Sequence, residues 1–116
     1  MLVKSIYAVI AILPSLALAD FEWVKIWEGD MALPISGSAH VVTEADVTTQ
    51  KHTGAIARVL VRTSMTAEKI HLVTTELDTF DCVQATYTIQ TGSVGPGPVM
   101  PVKLPAELAM YQFACR

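Results

Sequence analysis

Two cysteines, three histidines and two close pairs of acids are the residues of this 116-residue chain whose types could do chemistry. Cys82 sits in "ELDTFDCVQATYTIQTG" (76–92) and Cys115 in the closing "FACR". A mid-chain cysteine serves as a nucleophile, as a metal ligand or as half of a disulfide. A thiol nucleophile needs a partner base, and no local signature of a cysteine enzyme surrounds Cys82. A Cys-x-x-Cys redox pair is missing. A zinc site needs about four convergent ligands, whereas His40, His52 and His71 are scattered singly. Glu44 and Asp46 share one face of an extended segment, the spacing of paired carboxylates, but a solvated face explains them as well. Asp78 and Asp81 flank Phe80 in a turn-like setting and read the same way. Ser, His and Asp all occur, yet the chain has no Gly-x-Ser-x-Gly elbow. We therefore expect no catalytic residues, no cofactor and no metal.

The compartment decides the fate of the cysteines. "MLVKSIYAVIAILPSLALAD" carries one cation, Lys4, then an apolar run of about eight residues, a proline and Ala17-Leu18-Ala19. That is the anatomy of a secretory signal, with cleavage expected before Asp20. The run is shorter than the ~20 residues that cross a bilayer. A leader over residues 1–19 leaves a single domain over 20–116, large enough for one modest core. Export places the protein in the periplasm, on the cell surface or outside the cell. In such an oxidising compartment two cysteines of a small domain pair, so Cys82 and Cys115 are expected to form a disulfide. Loss of Lys4 with the leader leaves seven Lys and Arg against eleven Asp and Glu, a formal charge of −4. Lys25, Lys51, Lys69 and Lys103 lie far apart, and nucleic-acid binding needs clustered cations. No nucleic-acid partner and no membrane span are expected.

The elements that must position these residues are mostly strands. "FEWVKIWEGD" (21–30) is aromatic and β-branched, which favours a strand. Strict alternation puts Phe21, Trp23, Lys25 and Trp27 on one face. "SGSAHVVTEADVTT" carries a short strand near 39–43, and "TQKHTGA" reads as loop. "IARVLVRT" (56–63) is the clearest strand, with Ala57, Val59 and Val61 on one side. "SMTAEK" reads as a turn. "IHLVTTELDTFDC" has mixed alternation, which predicts a bulge or strand end near Asp78. "ATYTIQT" alternates cleanly, and short turns between neighbours imply an antiparallel meander. "GSVGPGPVMPVKLP" is a stiff connection, since prolines at 96, 98, 101 and 105 remove backbone donors. "LPAELAMYQFACR" predicts a helix with Pro105 in its first turn, Glu107 complementing its N-terminus, and Leu104, Leu108, Tyr111 and Cys115 as one apolar stripe. The expected fold is α+β, an antiparallel sheet packed by a short C-terminal helix.

The order of these pieces resembles the bacterial surface-adhesin protein E family. The carriers are "WVKI" at 23–26, the strand "IARVLVRT", the strand into "ELDTFDC", the return "ATYTIQT", the Gly/Pro-rich connection and the helix ending "FAC". "DC" at 81–82 and "AC" at 114–115 are its most specific elements. The family's aromatic second segment is replaced here by "MALPISGSAHVV". The resemblance implies a sheet backed by a helix with the cysteines bridged, and adhesion to host matrix proteins or plasminogen. Two other roles fit the sequence. One is a periplasmic inhibitor of a lytic enzyme, given the Ser-Gly of "ISGSAH"; the other is an envelope structural component. A protein partner is expected, and the tryptophan face of the first strand, Trp23 and Trp27, is the candidate surface for a ligand or a homodimer; the alternative is that the two tryptophans pack under the C-terminal helix beside Leu108 and Tyr111.

Overall fold

The computed structural model describes residues 21–34 and 37–116. The expected leader, residues 1–19, lies outside them, as do Ile35 and Ser36 of the Ser-Gly loop. The described chain runs β1 (Trp23–Ala32), β2 (Ser38–Asp46), β3 (Lys51–Thr53), β4 (Ile56–Ala67), β5 (Ile70–Asp81), β6 (Thr86–Gln90), β7 (Met100–Pro101) and α1 (Pro105–Ala114). All strand pairs are antiparallel, in the order β1-β2-β4-β5-β6-β7, with β3 pairing β4 beyond the end of β2. The fold is the expected meander packed by a C-terminal helix. Segments read as loop or turn prove to be strand. The "TQKHTGA" segment contributes β3, and β4 continues through "SMTA" to a two-residue turn at Glu68 and Lys69. Pairing supplies the reason: a polar, Thr-rich segment joins a ladder when a partner strand offers its backbone groups.

The helix-facing side of the sheet is floored by small residues. Ala39, Val41 and Ala45 of β2 and Ala57, Val59 and Val61 of β4 are buried, as are Phe80 and Tyr87 of β5 and β6. Met110, Phe113 and Ala114 of α1 pack into this cluster. Alanines at 45 and 57 leave room for the large helix side chains above them. Each fully buried large aliphatic or aromatic side chain contributes about 1.5–3 kcal/mol. The expected stripe is therefore only half right. Tyr111 and Cys115 pack on the core, whereas Leu104 and Leu108 are exposed. The helix is rotated because it is tethered at fixed points along its length.

At its C-terminal end, Cys115 is disulfide-bonded to Cys82, with 5.7 Å between their Cα atoms. The Tyr111 hydroxyl donates to the Cys82 carbonyl at 2.8 Å. Gln50 Nε2 donates to the carbonyls of Phe113 and Ala114 at 3.3 and 3.2 Å, satisfying acceptors that a helix end leaves free. At its N-terminal end, Glu107 Oε1 accepts from the backbone N–H groups of Lys103 and Leu104, both at 3.0 Å. Its other oxygen accepts from the Tyr87 hydroxyl. Cys82 itself is held by a turn in which Asp81 Oδ1 accepts from Val83 and Gln84 N–H groups at 3.0 and 2.9 Å.

The first strand departs from strict alternation. Trp23 pairs with Asp46 and Lys25 with Glu44, but Trp27 pairs with Thr43, so Ile26 is an extra residue. Such a bulge sends later side chains to the other face. Trp23 and Trp27 therefore do not share a face. Trp23 lies on the outer side, with the Arg62 guanidinium 4.4 Å from its ring centroid and Phe21 edge-on to it. Trp27 lies on the helix-facing side, its indole spread over Gly29, where any Cβ would come within 2.6 Å of the ring. Ile26 packs on the core.

A bond closing 33 residues contributes about 3–4 kcal/mol by loop entropy. Purified protein is expected to take up no thiol label under denaturing, non-reducing conditions. Cys82→Ser and Cys115→Ser should lower the melting temperature equally and by more than about 10 °C; unequal losses would show that the two positions do not act as one bond.

Candidate functional site

Two buried aspartates show how differently this sheet treats a carboxyl. Asp46, at the end of β2, is fully buried. It accepts from the Glu22 N–H at 2.8 Å and from both the N–H and the hydroxyl of Thr48, and its own carbonyl accepts from the Thr49 hydroxyl. Burial pushes its carboxyl up, but the hydrogen bonds from Glu22, Thr49 and Thr48 outweigh that and hold it below the usual carboxylate range. Its neighbour on the face, Glu44, is engaged by Arg62 at 2.9 Å. Both residues of this pair make structural contacts, and Asp46 is buried where a solvated face was expected.

Asp78 is the opposite case. It is 6% exposed, and among the described residues its Oδ1 has no hydrogen-bond partner. The expected bulge near it does not exist: β4 and β5 pair without interruption from Ile56↔Asp81 to Ala67↔Ile70. The mixed alternation of β5 arises instead because two acids, Glu76 and Asp78, occupy helix-facing positions, opposite Val61 and Val59. Burial is the main cause that pushes the Asp78 carboxyl up to about 9, with the adjacent Glu76 and then Glu107 adding to it. Asp78 is thus a neutral carboxylic acid at pH 7. Burying an ionised carboxylate without a partner costs several kcal/mol, so the group keeps its proton.

Asp78 lines a cleft of about 260 Å³ between the sheet and the N-terminal turn of α1. Met31, Val61, Met65, Ile89 and Leu104 form its apolar walls, and Glu76, Tyr87 and Glu107 join Asp78 as its polar groups. Burial and then the Glu107 carboxylate hold the Tyr87 phenol well above its ordinary value, so it remains a donor to Glu107. Burial opposes Glu107 ionisation, but the bonds from Tyr87, Leu104 and Lys103 outweigh it and keep it a carboxylate. A second hollow, of about 440 Å³, lies among Ile56, Thr79, Asp81, Thr86 and Val99. Its acid, Asp81, is already occupied by the turn after β5.

The three histidines stay apart. His40 pairs with Asp30 and Glu28 across β1 and β2, His71 bonds the Thr66 hydroxyl, and His52 is exposed. Hydrogen bonds that the His40 imidazole donates to Asp30 and then to Glu28 raise it above its ordinary value. Among the described residues no three His, Cys, Asp or Glu side chains converge as metal ligands. The turn-like reading of Asp78 missed the cleft; the one signal in the sequence was the broken alternation of "IHLVTTELDTFD".

Compared with protein-family models, with curated proteins and with solved structures, the chain matches none.

Because the folded pKa of Asp78 lies above the ~3.9 of an unfolded aspartate, its contribution is full below about pH 4 and is lost as pH rises toward 9. Wild-type melting temperature should fall over that window. Asp78→Asn should flatten the slope and melt at least about 5 °C higher than wild type at pH 8, the gap closing near pH 4. A wild-type profile level between pH 5 and 8 would assign Asp78 an ordinary, ionised carboxylate.

Proposed function

We propose that this protein is an exported binding module that docks an extended segment of a partner polypeptide along the open half of β5. The observation that carries this reading is the mismatch between β5 and its neighbour. β5 has twelve residues, but β6 pairs only with Leu77–Asp81, so among the described residues no strand covers the edge formed by Ile70–Glu76. An uncovered edge presents a row of backbone donors and acceptors that another strand can complete. Ile70, Leu72 and Val73 along it are 61, 56 and 52% exposed, an apolar display that solvation alone disfavours. Charge complementarity selects the partner's chemistry: the edge runs into Glu76, Asp78 and Glu107, so a docked strand that carries a basic residue fits.

Export is supported by the leader-like N-terminus and by the disulfide, a bond of oxidising compartments. Among the described residues no helix is long and apolar enough to cross a membrane. The resemblance to surface adhesins favours a macromolecular ligand. The inhibitor reading rests on the Ser-Gly loop, and the strand-edge geometry favours docking at β5 instead.

Selection from a displayed library of extended peptides should yield ligands alternating apolar and polar residues, with a basic residue among them. Bound peptide should slow amide exchange across Ile70–Glu76, and Leu72→Lys with Val73→Lys should weaken binding at least tenfold while leaving the melting temperature within a few degrees. Protection of β1 in place of β5 would overturn the reading. So would concentration-dependent self-protection of Ile70–Glu76, which would make the edge a homodimer contact.

A further inference from the structure

The cleft beside the β5 edge has a composition that its own fold does not explain. Three carboxyl groups, of Glu76, Asp78 and Glu107, face it, and none of its lining residues is a Lys, Arg or His. Elsewhere the acids of this sheet have partners: Glu44 has Arg62, Glu28 has Lys25 and His40, and Asp46 has a ring of N–H and hydroxyl donors. Here Glu107 has Tyr87 and two backbone donors, whereas Asp78 has only the neighbouring acid Glu76 as a side-chain partner, and among the described residues its buried Oδ1 has none. A buried acid with one oxygen unsatisfied and a second acid beside it gains most from a donor arriving from outside.

We propose that this cleft is a binding site for an organic cation with an apolar stem, an alkylammonium or alkylguanidinium group, either free or as the Lys or Arg side chain of a docked polypeptide. The methionine, valine, isoleucine and leucine walls accept the stem, while the charged head meets the carboxyl groups. A cleft of about 260 Å³ is enough for such a chain and too little for a folded domain. A bare metal ion suits the site poorly, because its acids do not converge as metal ligands and its walls are hydrocarbon and thioether.

Binding is coupled to a proton. Before the cation enters, Asp78 is neutral because burial and Glu76 hold its proton on. The incoming positive charge favours the ionised form, so Asp78 releases its proton to solvent as the cation binds. The titratable groups that face Asp78 are Glu76 on its own strand, Tyr87 on β6 and Glu107 on α1. From β1, β2 and β4 the cleft receives only methionine, valine and threonine side chains. Affinity for a permanently charged cation therefore rises with pH up to about 9 and levels above it.

The test uses calorimetry on the full disulfide-bonded protein with hexylguanidinium, hexylammonium and 1-hexanol as probes. Both cations should bind with affinity rising at least tenfold from pH 6.5 to 8.5, and the heat should vary with buffer ionisation enthalpy in the sense of proton release. Hexanol should bind weakly and without pH dependence. At pH 8.5 Asp78→Asn should weaken the cations at least tenfold, and Glu76→Gln, which removes the partly exposed carboxylate beside Asp78, at least threefold. Cations no better than hexanol, an unchanged pH slope in Asp78→Asn, or calcium competing at equal affinity would each overturn the proposal; if Asp78→Asn does not fold, the Glu76→Gln and proton-release readouts decide alone.

A second arm separates the sources of the cation and keeps this inference distinct from docking at β5. An edge-binding peptide with one Lys is compared with the same peptide carrying norleucine there. A preference for Lys that disappears in Asp78→Asn assigns the cleft to a polypeptide side chain. Hexylammonium binding with no such preference assigns it to a free amine, whatever becomes of the edge. Protection of Ile70–Glu76 by both peptides alike, with no proton release by any probe, leaves docking standing and ends the cation site.

Discussion

The covalent bond from Cys82 to Cys115 is the constraint on which the arrangement depends. A ten-residue helix is too short to be stable alone in water, and it carries no polar residue at its N-cap, where Leu104 stands. It forms because its last turn is bonded to the end of β5 and its first turn is held by Glu107. The bond fixes not only that the helix packs but where. With Cys115 pinned, Met110, Phe113 and Ala114 must fall on the alanine and valine floor of β2 and β4. Leu104 and Leu108 are turned outward as a consequence.

Placement of the helix at one end of the sheet also creates the cleft. One short helix covers the lower part of the helix-facing side, near Val59, Phe80 and Tyr87. It leaves the upper part, from Val61 and Thr63 to Met31 and Met65, as an open wall beside its first turn. Glu107 sits at this junction and does two jobs. One oxygen closes the helix N-terminus, and the other accepts from Tyr87 across to β6. The negative charge needed to cap the helix is thereby placed beside Asp78, where it helps to keep a buried carboxyl protonated. The helix cap and the electrostatics of the cleft share one residue.

The two aspartates at 46 and 78 make the energetic contrast concrete. Both lie on strands and burial pushes both carboxyls up; at Asp46 the surrounding donors outweigh it, whereas at Asp78 burial prevails and the acids Glu76 and Glu107 add to it. Residue type and burial alone do not predict charge state.

Much was determined by the sequence alone. Alternation in "IARVLVRT" and "ATYTIQT" fixes which side chains are buried, because strand period is a local property of the backbone. The Gly/Pro-rich connection and the terminal helix follow from local chemistry, and the pairing of the two cysteines from the expectation that a leader-like N-terminus sets. The tertiary structure decided what local rules leave degenerate. A one-residue bulge at Ile26 put Trp23 and Trp27 on opposite faces, and no alternation count detects an extra residue whose neighbours are all strand formers. Polar segments at 51–53 and 64–67 became strand only because a partner ladder was there to receive them. Asp78 read as a turn residue because acids rarely sit on a core face; that it does so is set by uninterrupted pairing with β4 on one side and the helix on the other, contacts that join residues far apart in the chain.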